Sequence, residues 1–388
     1  MGRRTLIRTV GLVALCVAFA SGYELHARSL TQPSAAPPAI NGPHALRRAV
    51  LADLEHHYYR QLPTAARHAR WVSGIVAALH DPYTEYLPPA LYQDLVDIED
   101  GGYSGVGVAL THGHRGLVVT DSLPGLPASK AGIEPGDVIV SINGTSLSGL
   151  SYADAVLMMH GNPGTAVHLA VHRDGVDHPL LLTLVRQPVD VRAVSSRVMT
   201  FQGHRYLYLR VPGFVEHTAE DVRRIVHRAH EHGIDRVVLD LRGNLGGLLE
   251  QGVEVSQVFV NHGVIVQTSG RGGHTAIYSA NGTAVPGLKV AVLVDGITAS
   301  AAEVVAGSLQ RAHAGVVVGT RTYGKGTVQS VWPVPGGGAL KLTVAVFRLA
   351  GGVQVNGRGV APDVVSANRP TTPADETLEA ALAKLARG

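Results

Sequence analysis

From about Val189 to its end, this chain of 388 residues alternates short apolar runs with segments whose apolar residues recur at helical spacing. Apolar runs of strand length occur at residues 236–241, 289–294 and 316–319. Two helical faces are formed by Val222, Ile225, Val226 and Ala229, and by Ala301, Val304, Val305, Leu309 and Ala312. The alternation predicts an α/β layer, followed by an amphipathic helix over about 373–385.

The first half of the chain has a different pattern. Apolar residues spaced as on a helix predict a helical segment over 44–100, with a break at residues 81–86. Residues 101–187 contain short strand-like runs separated by glycine turns, and a short helix is predicted at 151–160. We therefore predict an N-terminal helical segment, a small β-rich domain and an α/β core over 188–388.

The first 43 residues predict export. Arg3, Arg4 and Arg8 precede an apolar stretch at 10–20, which is short for a membrane span and typical of a signal peptide within residues 1–30. An uncleaved membrane anchor is the alternative. Residues 31–43 are rich in proline and alanine and predict a tether. The one cysteine, Cys16, lies in the predicted signal peptide. Cleavage would leave a mature chain without cysteine, and so without disulfide or thiol chemistry.

The composition excludes several classes of protein. Hydrophobic residues make up 45% and charged residues 16% of the chain, which excludes a disordered protein. A net charge of +3, without a basic stripe, argues against nucleic-acid binding. His227 and His230 lack the spacing and acidic partner of a zinc site, and Gly326 replaces the Ser or Thr of a phosphate-binding loop. We expect no metal and no organic cofactor.

Ser300 and Lys325 are the candidates for chemistry. Each lies among small residues shortly after an apolar run, where a buried strand ends. A serine hydroxyl needs a base to become a nucleophile, and a lysine can be that base when burial lowers its pKa. Ser–Lys pairs are a known variant of the serine-hydrolase triad. If the two residues pair, the chain is a hydrolase.

The segment at 101–187 resembles a PDZ domain, in the circularly arranged form found in bacterial proteases. The resemblance rests on Ser-Gly-Val-Gly-Val at 104–108 and on Ala-Gly-Ile-Glu-Pro-Gly-Asp-Val-Ile at 131–139, followed by Ile-Asn-Gly at 142–144. It implies a peptide-binding loop, whose residues are Gly105, Val106, Gly107 and Val108. Successive glycines let backbone amides converge on a carboxylate, and the next strand can pair with an extended peptide.

The chain as a whole resembles the carboxyl-terminal processing proteases, which are PDZ-containing serine peptidases of bacterial envelopes and chloroplasts. Five blocks carry the resemblance. They are Asp-Pro-Tyr-Thr at 81–84, Asp-Leu-Arg-Gly-Asn-Leu-Gly-Gly-Leu at 240–248, Thr-Ala-Ser-Ala-Ala-Glu at 298–303, Tyr-Gly-Lys-Gly-Thr-Val-Gln at 323–329 and Asn-Gly-Arg-Gly-Val-Ala-Pro-Asp at 356–363. Together they span roughly residues 45–388.

The resemblance implies a role for each matching residue. Ser300 is then the nucleophile, Lys325 the general base, and Gln329 a hydrogen-bond partner of the lysine amine. The backbone N–H groups of Gly246 and Ala301 form the oxyanion hole. We expect Arg242 and Asn244 to support the oxyanion loop without being catalytic. Ala302 replaces a non-catalytic serine of many relatives, and His160 replaces an arginine that links the PDZ domain to the active site in some of them.

The implied fold is α/β, with an inserted PDZ domain in a mixed sheet-and-helix, crotonase-like protease core. The implied function is that of a serine endopeptidase, which captures C-terminal tails and cleaves peptide bonds through an acyl-enzyme. It acts in the bacterial periplasm, free or anchored in the inner membrane. Whether the protein binds an adaptor protein or forms a homo-oligomer stays open. The alternatives are an inactive PDZ scaffold and a crotonase-like acyl-handling enzyme.

Overall fold

A computed structural model describes residues 22–23, 43–99, 102–113, 116–122, 125–148, 150, 155, 158–159, 161, 163–190, 194–367 and 375–387. The described chain forms two compact units. One is Gly102–Asp190, and the other combines the residues before Gly102 with those after Asp190. The second unit is therefore interrupted in sequence by the first. In the part of the chain that is described, no helix has the length and apolar character needed to cross a membrane.

The elements are named in chain order. The α-helices are α1 (Pro43–His57), α2 (Thr64–His68), α3 (Val72–Ala78), α4 (Pro89–Glu99), α5 (Pro127–Lys130), α6 (Thr218–Glu231), α7 (Leu249–Phe259), α8 (Ala301–Arg311) and α9 (Glu376–Arg387). The strands up to Asp190 are β1 (Gly22–Tyr23), β2 (Glu85–Leu87), β3 (Gly102–Gly105), β4 (Val108–Gly113), β5 (Gly116–Ser122), β6 (Val138–Ile142), β7 (Thr145–Ser146), β8 (Ala166–His172), β9 (Leu180–Val185) and β10 (Gln187–Asp190). The later strands are β11 (Ser195–Phe201), β12 (His204–Arg210), β13 (Arg236–Asp240), β14 (Val264–Gly270), β15 (Thr275–Ser279), β16 (Lys289–Val294), β17 (Val316–Gly319), β18 (Thr327–Pro333), β19 (Ala339–Leu349), β20 (Val353–Gln354) and β21 (Val364–Val365).

The unit Gly102–Asp190 is built on an antiparallel sheet of order β4-β5-β6-β8-β9, with β7 paired to β6. Strand β4 therefore lies at one edge. Strands β3 and β10 form a separate two-stranded ribbon where the chain enters and leaves the unit. Of the helix predicted at 151–160, the described residues Ala155, Met158 and Met159 are helical; the others, His160 among them, lie outside the described residues.

The catalytic candidates belong to the second unit, in which one sheet has the order β11-β12-β13-β16-β17-β21. Strands β12 to β21 of this sheet run parallel. Its apolar residues alternate between two cores: Val237 and Leu239 pack with α6, α7 and α8, whereas Val238 packs with α9 on the opposite face. Because both faces are covered, the strands are nearly continuously apolar, as the sequence pattern predicted.

A second sheet has the order β1-β18-β19-β14-β15, and β2 and β20 also pair with β19. The N-terminal helices pack on this sheet, with Val50, Leu54 and Ile75 against Leu340 and Leu342. Helix α8 contributes to the cores of both sheets, and its residues Ala301–Leu309 are all buried. Because α8 is buried from Ala301 to Leu309, it fixes the position of the residue that precedes it, Ser300.

The predicted α/β class is confirmed, with a mixed core and a helix that begins directly after Ser300. The N-terminal helical segment consists of four helices, and the predicted break at 81–86 contains the turn that leads into β2. The signal peptide predicted within 1–30 and the tether at 31–43 lie almost wholly outside the described residues, and they stay predictions.

Candidate active site

Ser300 lies at the amino end of α8 in a strained backbone conformation. Its φ of 54° and ψ of −120° are rarely adopted by residues other than glycine. The side chain is 1% exposed, and among the described residues its Oγ has no hydrogen-bond partner. Strained, buried and unpartnered groups collect at functional sites because elsewhere they only destabilise the fold. The hydroxyl is thus presented at a helix start without a structural task.

The turn before Ser300 is fixed by two polar side chains. The Asp295 carboxylate accepts hydrogen bonds from the backbone N–H groups of Gly243, Ile297 and Thr298. The Thr298 hydroxyl donates to the carbonyl of Leu241 at 2.9 Å. These contacts join the carboxyl ends of β13 and β16, which are neighbours in the parallel sheet. The serine turn and the glycine loop after β13 therefore form one structure.

Gly246, a predicted oxyanion donor, packs directly against Ser300. A Cβ atom at this position would lie 2.7 Å from the Cβ of Ser300 and 3.1 Å from the amide nitrogen of Ala301. Its φ of 107° also requires glycine. Its N–H donates to Asn244 Oδ1 at 2.8 Å, and Asn244 Nδ2 donates to the carbonyl of Val211. Of the two predicted donors, Gly246 is thus already engaged, whereas Ala301 opens a helix and has no intrahelical acceptor for its N–H.

Lys325 is buried within the protease unit, with 1% of its surface exposed. Its Nζ lies 4.7 Å from the centroid of the Tyr83 ring. Burial, and to a lesser degree the positive charge of Lys341, lowers the pKa of Lys325 well below the usual lysine value. The carboxylates of Glu85, Asp81 and Glu303 act in the opposite direction but are weaker influences. An amine that loses its proton in this way can serve as a base.

Glu303 connects Ser300 to Lys325. One oxygen, Oε2, accepts hydrogen bonds from the backbone N–H groups of Ser300 at 2.9 Å and of Lys325 at 2.8 Å. The other, Oε1, accepts from the N–H of Gly324 and from the hydroxyl of Thr322. Burial raises the pKa of the carboxyl, and the four hydrogen bonds oppose this effect. All four partners donate to the carboxyl oxygens, an arrangement that suits the ionised form.

Gln329 is fully buried on β18, four residues after Lys325. Its Nε2 donates to the hydroxyls of Thr327 at 2.9 Å and Thr343 at 3.3 Å. Its Oε1 is buried, and among the described residues it has no hydrogen-bond partner. An unpaired acceptor is the complement of an amine donor, but the predicted bond to Lys325 is not formed in this structure. The two threonines fix the amide so that its oxygen stays available.

The block at 81–84 had no assigned role in the sequence, and the structure places it beside the lysine. The Asp81 carboxylate accepts the backbone N–H of Tyr83 and the hydroxyl of Thr84. Thr84 Oγ1 in turn accepts the N–H of Thr343, the residue that pairs with Gln329 across β18 and β19. The turn is thereby attached to the strand next to the site. In the sequence, this turn was indicated only by a polar block where the helical spacing of apolar residues is interrupted.

The late block at 356–363 supports the lysine loop. Asn356 Oδ1 accepts the N–H of Gly326, and the N–H of Val360 donates to the hydroxyl of Thr322. A Cβ atom at Gly326 would lie 2.4 Å from the backbone nitrogen of Asn356. The small residues around Lys325 are therefore required by close backbone approach.

Arg242 supports the site, but not by touching the oxyanion loop. Its guanidinium forms ion pairs with Asp240 at the end of β13 and with Asp375 just before α9. The two carboxylates hold the pKa of Arg242 above its usual range even though burial acts to lower it. Asp375 also accepts the N–H of Leu378 in the first turn of α9. Arg242 thus attaches the C-terminal helix to the strand that precedes the glycine loop.

The predicted peptide-binding residues, Gly105 to Val108, join β3 to β4 in the other unit, where β4 is an edge strand. All four are buried. The Val106 carbonyl accepts the N–H of Ala128, and a Cβ atom at Gly107 would lie 2.5 Å from Leu126. With a φ of 79°, Gly107 directs the turn in a conformation suited to glycine.

Comparison with known proteins gives a consistent result. Residues 205–366 match the model of peptidase family S41, and residues 95–172 match that of the PDZ domain. The chain is 36% identical over 300 residues to a carboxy-terminal-processing protease of Bartonella bacilliformis, covering 76% of this chain and 68% of that protein. It is 32% identical over 326 residues to a carboxyl-terminal-processing protease of Synechocystis, covering 82% and 76%. The solved photosystem II D1 C-terminal processing protease superposes with a TM-score of 0.64 at 27% identity, covering 87% and 97%.

We predict that Glu303→Gln destabilises the protein and lowers its activity. The amide would present a donor to two of the four groups that donate to this carboxylate, so the free energy of unfolding should fall by about 2–4 kcal/mol. Urea unfolding measures the change. Glu254→Gln, on the exposed side of α7, is the matched control and should change stability by no more than about 0.5 kcal/mol. Equal unfolding midpoints for the two variants would contradict the structural role of Glu303.

We predict that Lys325→Met abolishes activity but stabilises the fold. Because the pKa of Lys325 is lowered in the folded state, the unfolded chain holds the extra proton between that lowered value and the usual lysine value. Stability of the parent therefore rises with pH across this window. The gain in melting temperature from Lys325→Met should be larger near about pH 6 than near about pH 9. Lys384→Met, at an exposed lysine of α9, should show no such dependence.

Proposed function

Since the chain belongs to the carboxyl-terminal processing proteases of peptidase family S41, we propose that Ser300 and Lys325 are the nucleophile and general base of its serine peptidase reaction. The family resemblance drawn from the sequence is confirmed by the relatives and by the solved fold. The chain is a serine-type peptidase with a PDZ domain, and its substrates are peptides with C-termini. The roles of single residues and the acyl-enzyme are the proposal.

One observation carries the assignment: a single carboxylate, Glu303, binds the backbone of both Ser300 and Lys325. The neutral Lys325 amine takes the proton of Ser300 Oγ as that oxygen attacks the scissile carbonyl carbon. The C–N bond then breaks, Lys325 gives the proton to the leaving amine, and the acyl group stays on Ser300. A water molecule, deprotonated by Lys325, attacks the acyl-enzyme and releases the acid.

The remaining site residues act on charge and orientation. The N–H of Ala301 points from the start of α8, where the helix dipole favours negative charge, and would stabilise the oxyanion. The N–H of Gly246 would join it by sharing or leaving its bond to Asn244. Gln329 Oε1, which is buried and has no hydrogen-bond partner in the described part of the chain, would accept a hydrogen bond from the lysine amine and hold it toward Ser300.

The PDZ unit would capture the substrate tail. Strand β4 is an edge strand, so an extended peptide can add to the sheet beside it. The amides of residues 105–108 would receive the terminal carboxylate. We further propose, from residues 1–30, that the protein is exported to the periplasm, either free or anchored in the inner membrane. The same proposal leaves open whether the protein binds an adaptor protein and whether it self-associates.

The reaction is tested with an unfolded protein that ends in an apolar tail. The chain expressed from residue 31 should cleave it, whereas Ser300→Ala and Lys325→Ala should each reduce cleavage by roughly 10³-fold or more. Mass spectrometry of the denatured parent during turnover should show an acyl adduct on Ser300. Tail binding without cleavage by the parent and both variants would favour the inactive PDZ scaffold instead.

Tail capture is tested by a pair of glycine substitutions in the Ser300→Ala protein. Gly107→Ala places a methyl group 2.5 Å from Leu126, whereas Gly125→Ala has the same sign of φ but no atom within 4 Å. Gly107→Ala should weaken binding of a labelled tail peptide by about tenfold or more, and Gly125→Ala should not. Fluorescence anisotropy measures both. Equal binding of the peptide and its C-terminal amide would contradict recognition of the carboxylate.

A further inference from the structure

Tyr83 covers the amine of Lys325 from a distant part of the chain. The ring centroid is 4.7 Å from Lys325 Nζ, and the lysine is 1% exposed. Tyr83 itself is half-buried and interacts with the phenol of Tyr323, two residues before the lysine. The backbone of Tyr323 is in turn bonded to the serine turn, through the carbonyl of Thr298. A partly exposed ring thus packs against a buried amine.

The backbone that carries the ring is held by polar contacts. Asp81 accepts the N–H of Tyr83 at 3.0 Å and thereby closes the turn. Thr84, the next residue, is buried and bonded to β19. One residue further on, Glu85 forms an ion pair with the buried Lys341 at 2.7 Å. The backbone on both sides of Tyr83 is therefore anchored, and rotation of the side chain away from the lysine would break its interaction with the phenol of Tyr323.

Two effects of the ring on the lysine oppose each other. The face of an aromatic ring attracts a cation, which favours the protonated amine. The same ring excludes water, which favours the neutral amine. The charged groups that face Lys325 are Lys341 on β19, Glu85 on β2, Asp81 in the turn and Glu303 on α8. The three carboxylates favour protonation and Lys341 opposes it, so the exclusion of water is the largest of the influences that lower the pKa of the amine.

We propose that Tyr83 is a positioning residue, whose ring shields the Lys325 amine from water and so maintains it as a neutral base. The inference rests on the proposed function in one respect, the role of Lys325 as the base. Neither the ring nor its hydroxyl needs to touch the substrate. The N-terminal segment would thereby complete the chemistry of a site whose nucleophile and base both lie after the PDZ domain.

The chain permits a direct measurement because it has five lysines: Lys130, Lys289, Lys325, Lys341 and Lys384. Protein labelled with ¹³C at lysine Cε is titrated by NMR in the Ser300→Ala background, and Lys325→Ala assigns the resonance. Lys325 should titrate below the other lysines in this background. Tyr83→Ala should raise the pKa of Lys325 toward that of the exposed lysines, whereas Tyr83→Phe, which keeps the ring, should leave it low. Trp71→Ala, which removes an exposed aromatic ring from the same N-terminal segment, is the matched control.

Activity gives an independent measure. In the Tyr83→Ala enzyme the acidic limb of the pH profile of kcat/KM should move to higher pH, with a loss of about tenfold or more at neutral pH. The loss should be recovered at alkaline pH, where the exposed amine is again neutral. A merely structural role would lower activity at every pH. Should Tyr83→Ala fail to fold, Tyr83→Leu replaces it: its apolar bulk excludes water without a π-face, and the pKa of Lys325 should stay low.

Two outcomes would overturn the inference: an unchanged pKa of Lys325 in Tyr83→Ala, or a lowered one, which would show that the attraction of the ring for the cation dominates. Failure of the proposed function looks different. In that case Lys325 would titrate with the other lysines in the parent protein, or Lys325→Ala would still cleave.

Discussion

The buried carboxylate of Glu303 is the interaction on which the rest of the site depends. A carboxylate without partners would be too costly to bury, so the chain must supply donors, and it does so from two loops. One loop contributes the N–H of Ser300, and the other contributes Thr322, Gly324 and Lys325. Hydrogen bonds to a charged acceptor contribute about 1.5–3 kcal/mol each, more than neutral ones. The loop of Ser300 and the loop of Lys325 therefore fold as one structure around a single carboxyl group.

That arrangement places destabilising features next to one another. Ser300 has a positive φ, Gln329 has a buried oxygen with no hydrogen-bond partner among the described residues, and Lys325 is a buried amine whose pKa is lowered. Each is a local cost to stability, and such costs are expected to collect where a structure has a chemical task. The compensation comes from the surrounding protein: a helix after Ser300 that is buried from Ala301 to Leu309, and a hydrogen-bonded strand pair around Gln329.

The sequence predicted features that depend on one short segment, but it did not predict contacts between residues far apart along the chain. The start of α8 at Ser300 and the buried lysine followed from periodicity and from the family blocks, because each depends on neighbours within one segment. The contact between Tyr83 and Lys325 joins a residue before the PDZ domain in the sequence to a residue after it. The contact between Arg242 and Asp375 spans 133 positions. Such pairs are set by packing of elements and have no periodic signal. The engagement of the Gly246 amide by Asn244 was also missed, because two residues in one block do not reveal which polar atoms meet.

Along the chain, the PDZ unit is inserted between two parts of the unit that contains Ser300 and Lys325. The unit Gly102–Asp190 is inserted into a core that begins before it and ends after it. A chain that started after this unit would keep Ser300, Glu303 and Lys325 but would lose Tyr83 and the partner of Lys341, Glu85. Water would then reach the lysine, and β19 would lose the strand that pairs with its first residues. The N-terminal segment therefore belongs to the same compact unit as Ser300 and Lys325, and the PDZ domain forms a compact unit of its own.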